Sequence, residues 1–182
     1  MTTRTPSKLI RIAWLVIAST TIITIDQMTK YLVVEYIPFL ETWLPDNLSR
    51  FSDWFRIVHW HNSGAAFGIF QNANLLFLIL GIAAVGFILF LYPTIGNHEW
   101  ALSTAMILQL GGAVGNMIDR IRFGHVIDFI SIMRLPVFNI ADASIALGVL
   151  ILLLDVLWAE RSEKKSQHSP SPNPPTLSRE ND

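Results

Sequence analysis

Four apolar runs of membrane length leave this chain few folds to choose from. They cover about residues 9–34, 75–92, 100–121 and 140–158. Lipid offers no partners to backbone N–H and C=O groups, so a run of this length crosses a membrane as a helix, which satisfies them internally. Charge is scarce as well. Only 15% of the residues are charged and 52% are hydrophobic, where a soluble domain carries about 25% charged residues. The mean hydropathy of +0.45 points the same way. A net charge of −1 gives no basic surface, and no nucleic-acid partner is expected. The absence of Cys excludes disulfides, thiol catalysis and Cys-ligated metal. The five histidines form no HExxH or other spaced metal motif.

The first run resembles a secretory signal peptide only at its basic start, Arg4 and Lys8. It continues to Asp26-Gln27-Met28-Thr29-Lys30 with no small-residue cleavage site, so a retained membrane helix is expected. Residues 1–8 form a short tail, expected in the cytoplasm because of its charge. Asp26 and Lys30, four apart, share one helix face. Residues 35–70 hold Pro38, Pro45, Trp43 and Trp54, then a run of β-formers at Phe55–His61 and a turn at Asn62-Ser63-Gly64. They are expected to make an irregular or amphipathic interfacial segment followed by a strand. From Glu160 to Asp182 the chain is polar and rich in Ser, Pro and Asn, the composition of a disordered tail. Arg161, Lys164 and Lys165 put that tail, like the N-terminus, on the cytoplasmic side. Arg120, Arg122 and Arg134 then fall on the outer side, against the usual bias, which calls for acidic side chains or lipid phosphate as their partners.

The stretch Gly111–Asp142, GGAVGNMIDRIRFGHVIDFISIMRLPVFNIAD, carries the chemistry. Ionisable groups at membrane depth are expensive to keep and usually have a task. Gly111, Gly112 and Gly115 allow close helix contact. Asn116, Asp119 and Arg120 lie on one helix face. Asp119 is expected to orient Arg120 or to cap a backbone group, and Asn116 to donate to an aspartate. Asp128 lies in a strand-like piece, Val126–Ile132, where an ion pair with Arg120 or Arg122 is the structural alternative to a functional role. Asn139 and Asp142 have the spacing of an N-cap and an N3 acid, so Asp142 caps a helix, catalyses, or does both. Asp26 either pairs with Lys30 alone or faces the same interior. His125 reads as a solvent-edge residue. Two carboxylates facing one water can act as base and acid in peptide hydrolysis, with burial and mutual repulsion separating their pKa values. In this scheme Asp142 is the first base and Asp128 the protonated partner.

Taken together, DQMTK (26–30), NSGAAFG (62–68), GGAVGNMIDR (111–120), VIDF (126–129) and FNIAD (138–142) resemble the bacterial lipoprotein signal peptidases, the signal peptidase II family. The resemblance covers about residues 9–158. It implies an all-α membrane protein: a four-transmembrane-helix bundle with a small periplasmic β-cradle (35–70) and a short amphipathic helix. It implies an intramembrane aspartyl endopeptidase that cleaves diacylglyceryl-modified prolipoproteins before the lipidated Cys. Asp128 and Asp142 would be the catalytic pair. Asp26, Asn62, Asn116, Asp119, Arg120 and Asn139 would bind substrate or support the site. The family often has Ser after the FNxAD motif. Ala143 stands there here, so that hydroxyl is absent. No metal or organic cofactor is implied. The expected partners are prolipoproteins with a lipid-modified lipobox Cys and membrane lipids, around a monomer in the inner membrane with its site near the outer face. Two rivals fit the acids alone: a proton-coupled transporter, for which no inverted repeat is visible, and a structural tetraspan whose acids only cap and pair.

Overall fold

The computed structural model of the protein describes residues 8–64, 73–96 and 99–167. Four long helices carry it: α1 (Lys8–Tyr36), α2 (Asn74–Leu91), α3 (Trp100–Phe123) and α4 (Ile140–Gln167). All four are long and apolar enough to cross a membrane. Three short strands, β1 (Thr42–Trp43), β2 (Phe55–Asn62) and β3 (Val126–Ile132), form one antiparallel sheet in the order β1-β2-β3. A 3-10 helix, Asp46–Phe51, links β1 to β2 within residues 35–70, the stretch for which the resemblance implies a cradle and a short helix. Part of the NSGAAFG motif (65–68) and the tail from 168 onward lie outside the described residues. The disordered tail was expected to begin at Glu160, but α4 continues to Gln167. Glu, Arg and Lys in that stretch are good helix formers, and propensity carries the last span past its apolar part.

The bundle has apolar side chains outside and polar ones inside. Leu9, Trp14, Phe87, Phe90 and Trp158 face outward and are more than half exposed. In water such a surface would aggregate; in lipid it is solvated. The largest fully buried side chains among the described residues are instead Lys30, Asn139, Asp26, Asp119 and Asp128. Two apolar clusters complete the interior. One joins Leu15, Ile88, Tyr92, Ile95, Met106 and Leu110, and the other joins Val33, Ile37 and Phe129 where α1 meets the sheet. Hydroxyls on α1 bond carbonyls of the preceding turn, as Ser19 does to Leu15 at 2.6 Å, so they add no unmet polar group.

Two glycines set how closely the helices approach. A Cβ at Gly112 would run into the carbonyl oxygen of Ala141 and lie 2.6 Å from Ile145, both on α4. At Gly115 it would lie 2.7 Å from the Asp26 carboxylate on α1. Small residues in α3 therefore bring α1 and α4 within reach of one polar centre. Helix α3 ends at Gly124, in the left-handed region at φ 77°, and the chain turns at once into β3. Arg120 and Arg122 stand in that last turn, where the carbonyl end of the helix favours positive charge. This gives the arginines a local reason that charge bias between loops does not.

The sheet sits over the same end of the bundle. Strand β2 pairs with β3 from Phe55↔Ile132 to Asn62↔Val126, with an irregularity between Ile57 and Trp60. There His59 turns its backbone to the other side, accepting from Leu40 N at 3.0 Å and donating to Glu41 O at 3.2 Å. Phe138 closes the loop after β3 by exchanging backbone bonds with Ile130, at 2.8 and 3.1 Å, which delivers Asn139 to the start of α4.

Replacing Gly112 with Ala should cost about 1–3 kcal/mol, the usual range for an extra methyl in a packed contact. Gly86→Ala, whose Cβ meets nothing within 4 Å, should be neutral. Thermal unfolding of the two variants in detergent checks this; equal melting temperatures would contradict the tight contact.

Candidate active site

The polar centre begins with Lys30. Its ammonium, only 2% exposed, lies 2.8 Å from Asp26 Oδ2 and 2.7 Å from Asp119 Oδ2. It also donates to Asn116 Oδ1 at 3.1 Å. All three of its N–H groups thus have partners. Each acid then holds a further element. Asp26 Oδ1 accepts from the backbone N–H of Ala141 in the first turn of α4, at 2.9 Å. Asp119 Oδ2 accepts from the N–H of Ile127 at the start of β3, at 3.1 Å, and Asp119 Oδ1 accepts from Gln27 at 2.9 Å. Asp26 therefore both pairs with Lys30 and faces the shared interior. Asp119 caps a backbone group, as one of its two expected roles has it; its direct bonds are to Lys30, Gln27 and Ile127, while Arg120 meets it only as a nearby charge.

The asparagines pass this order to two carboxylates. Lys30 can only donate, so the Asn116 oxygen must face it and the Asn116 amide nitrogen must face away. That nitrogen donates to Asp142 Oδ1 at 2.7 Å. Asn139 is oriented by the same logic. Its oxygen accepts from the N–H of Asp142 at 2.9 Å, while its own N–H donates to Asp142 Oδ2 at 3.3 Å. This is a reciprocal capping box with an aspartate in the N3 place. The Asn139 amide nitrogen, so directed, donates to Asp128 Oδ1 at 2.7 Å and to Asn116 Oδ1 at 3.1 Å. One buried asparagine thereby holds both Asp128 and Asp142.

Asp128 comes from β3, opposite Trp60 in the ladder. Its second oxygen accepts from Asn62 Nδ2 at 2.8 Å. Asn62 is oriented because its oxygen takes the N–H of Gly64 at 3.0 Å, a local turn bond. Among the described residues the hydrogen bonds to the Asp128 side chain come from these amides; Arg120 acts on it as a nearby charge, without a direct ion pair. Burial, and then the charge of Asp142, raise the Asp128 pKa to about 7, against the opposing bonds from Asn62 and Asn139. A carboxyl in this state holds a proton near neutral pH.

A cavity of about 420 Å³ opens beside Asp142 and the Asn62 that holds Asp128. Asn62, Asn116, Arg120 and Asp142 line its polar side, with Phe77 and Phe138 among the apolar ones. Arg120 lies over the Phe77 ring, 5.3 Å from its centre, and reaches the carbonyl of Asn116 at 3.4 Å. It keeps donors in hand toward the cavity. His125 is half-buried and stacks on His61 with ring centres 3.8 Å apart. Desolvation lowers the pKa of both rings, that of His61 to about 4, with neighbouring imidazoles adding to the effect. Among the described residues no group of three or more His, Cys, Asp or Glu is arranged to hold a metal ion. Ala143 is exposed, and the next hydroxyl, on Ser144, is turned to the Ala141 carbonyl at 2.8 Å.

Lys30 and Gln27 are the site residues that sequence reasoning undervalued. A lysine in the middle of an apolar run was the available signal, but its second acid, Asp119, is far away in the chain.

Four membrane-length helices around buried acids, amides and a lysine, with a polar-walled cavity at one end, define a multi-pass membrane protein with an enzyme-like centre. The comparisons specify it. The model of the family described as Signal peptidase (SPase) II matches residues 18–158. The chain is 39% identical over 140 residues to the lipoprotein signal peptidase of Halothermothrix orenii, covering 76% of this chain and 91% of that one. It is 40% identical over 146 residues to the one of Brevibacillus brevis, covering 79% and 94%. Two solved bacterial membrane enzymes share the fold. One, solved in meso at 2.3 Å, has a TM-score of 0.73 at 24% identity, over 90% of this chain and 96% of that one. The other, at 1.9 Å, has a TM-score of 0.70 at 27% identity, over 80% and 94%. The chain belongs to the signal peptidase II family and is a membrane protease.

Lys30→Met would leave Asp26 and Asp119 buried without their cation. A loss of about 3–5 kcal/mol is expected, as for other broken buried pairs. Adding Asp119→Asn should recover part of it. Unfolding in detergent reads both values, and an unchanged single variant would refute the shared ion pair.

Proposed function

We propose that the protein is an aspartic endopeptidase that removes the signal peptide from diacylglyceryl-modified prolipoproteins, cutting before the lipidated Cys. The observation that carries this reading is the pair Asp128 and Asp142, held by the single side chain and backbone of Asn139. The curated relatives support the substrate class by their name, lipoprotein signal peptidase.

In the proposed reaction Asp142 is ionised. It stands in the first turn of α4, where the helix dipole favours negative charge, and accepts bonds from Asn116 and Asn139. Asp128 carries the proton that burial and the Asp142 charge retain on it. Asp142 takes a proton from water as the water oxygen attacks the scissile carbonyl. Asp128 gives its proton to the carbonyl oxygen, and a neutral tetrahedral diol forms. Asp142 then passes its proton to the leaving amine of the Cys, and Asp128 regains one from the collapsing hydroxyl. Both carboxyls end as they began, and no metal or organic cofactor enters. Arg120, on the cavity wall, orients a substrate carbonyl. Asn62 belongs both to that wall and to the bonds of Asp128, so an entering peptide meets it first. Asn116, Asn139, Asp119 and Asp26 position the pair.

The site lies at the outer side of the cytoplasmic membrane, both ends of the chain on the inner side. Exposed Trp43, Trp54 and Trp60 on and beside the sheet suit the headgroup layer. Arg122 and Arg134, also exposed, suit lipid phosphate. The protein acts as a monomer. The peptidase unit spans residues 9–159, with the cradle at 35–70, and the Ser/Pro-rich C-terminal tail is dispensable.

Two experiments test this. Purified protein is assayed on a diacylglyceryl-modified prolipoprotein, and Asp128→Asn and Asp142→Asn should each lose about 10²–10⁴-fold or more, as expected on removing a general acid or base. A fully active Asp128→Asn would end the reading. The second is the pH profile. The folded pKa of Asp128 lies above its ordinary value, so its proton is held below about pH 7 and lost above it. kcat/KM should therefore fall about tenfold per unit as pH rises beyond about 7. The same sign holds for stability, because the native state binds this proton more tightly than the unfolded chain and loses that advantage as pH rises toward 7. An activity still rising at pH 9 would contradict the assignment.

A further inference from the structure

The proposed reaction uses none of the three histidines clustered where β2 leaves the sheet. His59 is buried, at 6% exposed, and its Nδ1 lies 2.8 Å from the carbonyl oxygen of Ile37. A carbonyl only accepts, so Nδ1 carries the hydrogen and a neutral His59 presents a bare Nε2 lone pair. That Nε2 lies 3.2 Å from Nε2 of His61. The His61 ring is clamped between Phe39, at 4.2 Å and 30°, and His125, at 3.8 Å and 29°. His61 is open to solvent on its remaining side.

We propose that His59 and His61 form a two-imidazole site for a divalent transition metal of borderline softness, Zn²⁺ or Cu²⁺. Two metal–nitrogen bonds of about 2.0–2.1 Å at a tetrahedral angle hold the nitrogens about 3.3–3.4 Å apart. The observed 3.2 Å already matches that spacing. His59 has the support that metal-bound histidines have: its other ring nitrogen donates to a backbone carbonyl, which fixes the tautomer and the ring. His61 needs only to shift its hydrogen from Nε2 to Nδ1, exchanging it through water, and its ring plane is already set by the stack. The rings of His59 and His61 meet at the irregular part of the strand, with centres 5.1 Å apart, and the exposed edge of His61 gives a route in. The remaining coordination positions fall to water. Imidazole suits Zn²⁺ and Cu²⁺, and Cu²⁺ should bind more tightly of the two. Occupancy would replace a single N–H···N contact with two coordinate bonds immediately before Asn62, the residue that donates to Asp128.

The test uses tag-free full-length protein in detergent, with His98→Gln and His168→Gln as background. Titration calorimetry with Zn²⁺ should find one site per chain. His59→Gln and His61→Gln should each weaken it by more than the about 10–100-fold that losing an outer-shell partner costs. Zn²⁺ should also raise the melting temperature of the background protein and leave that of the two variants unchanged. Cu²⁺ bound to the background protein should show electron-spin couplings to two imidazole nitrogens, which decides the matter even where a variant fails to fold. No binding to the background protein, undiminished binding to either variant, or coupling to fewer than two imidazoles would overturn the proposal.

Discussion

The buried ammonium of Lys30 is the contact on which the rest of this structure depends. It sits between two carboxylates that are both 0% exposed, in a bundle whose outer surface is made for lipid. Charges in such a place are tolerated only when paired and fully bonded. Here each partner is also a tie. Asp26 takes the start of α4, Asp119 takes the start of β3, and Asn116 hands the order on to Asp142. Four elements that are separate in the chain therefore meet at one group. The helices do not position the polar centre by apolar packing alone; glycines in α3 let them close around it.

From that centre the order passes outward by donors that have no choice of partner. Lysine and backbone N–H groups only donate, and they set the direction of each asparagine amide in turn. Asn116, Asn139 and Asn62 then present nitrogen, not oxygen, to the two carboxylates. The arrangement offers a physical reason for amides at these positions. An acid there would add charge to a buried cluster, and an apolar residue would leave a carboxylate without its donors. Asp128 and Asp142 are held alike by Asn139 yet sit in different surroundings. One is on a buried strand and the other at a helix start beside a cavity, which is how one pair of identical side chains divides into acid and base in the proposed reaction.

What could be read from the sequence was what is local or periodic. The four spans follow from hydropathy. The strand Val126–Ile132 and most of Phe55–Asn62 follow from β-branched and aromatic runs. The Asn139–Asp142 capping box follows from a spacing of three. What was not legible depends on long-range pairing. The two-residue strand Thr42–Trp43 has no pattern of its own and exists because Val58 and Ile57 offer a ladder. The second acid on Lys30, the backbone cap made by Asp119 and the grip of Asn62 on Asp128 all join distant segments. The role of Asn62 was readable only through resemblance to a family, and its geometry needed the fold.

The proposed reaction requires Asp128 to keep a proton at neutral pH while Asp142 is ionised. A direct measurement is carboxyl carbon NMR of aspartate-labelled protein in detergent, with the Asp128 signal assigned by its loss in Asp128→Asn. The expected result is a carboxyl that stays protonated through the mildly acidic range and titrates at about pH 7. A signal already in the carboxylate form at pH 5, titrating where ordinary aspartates do, would contradict it.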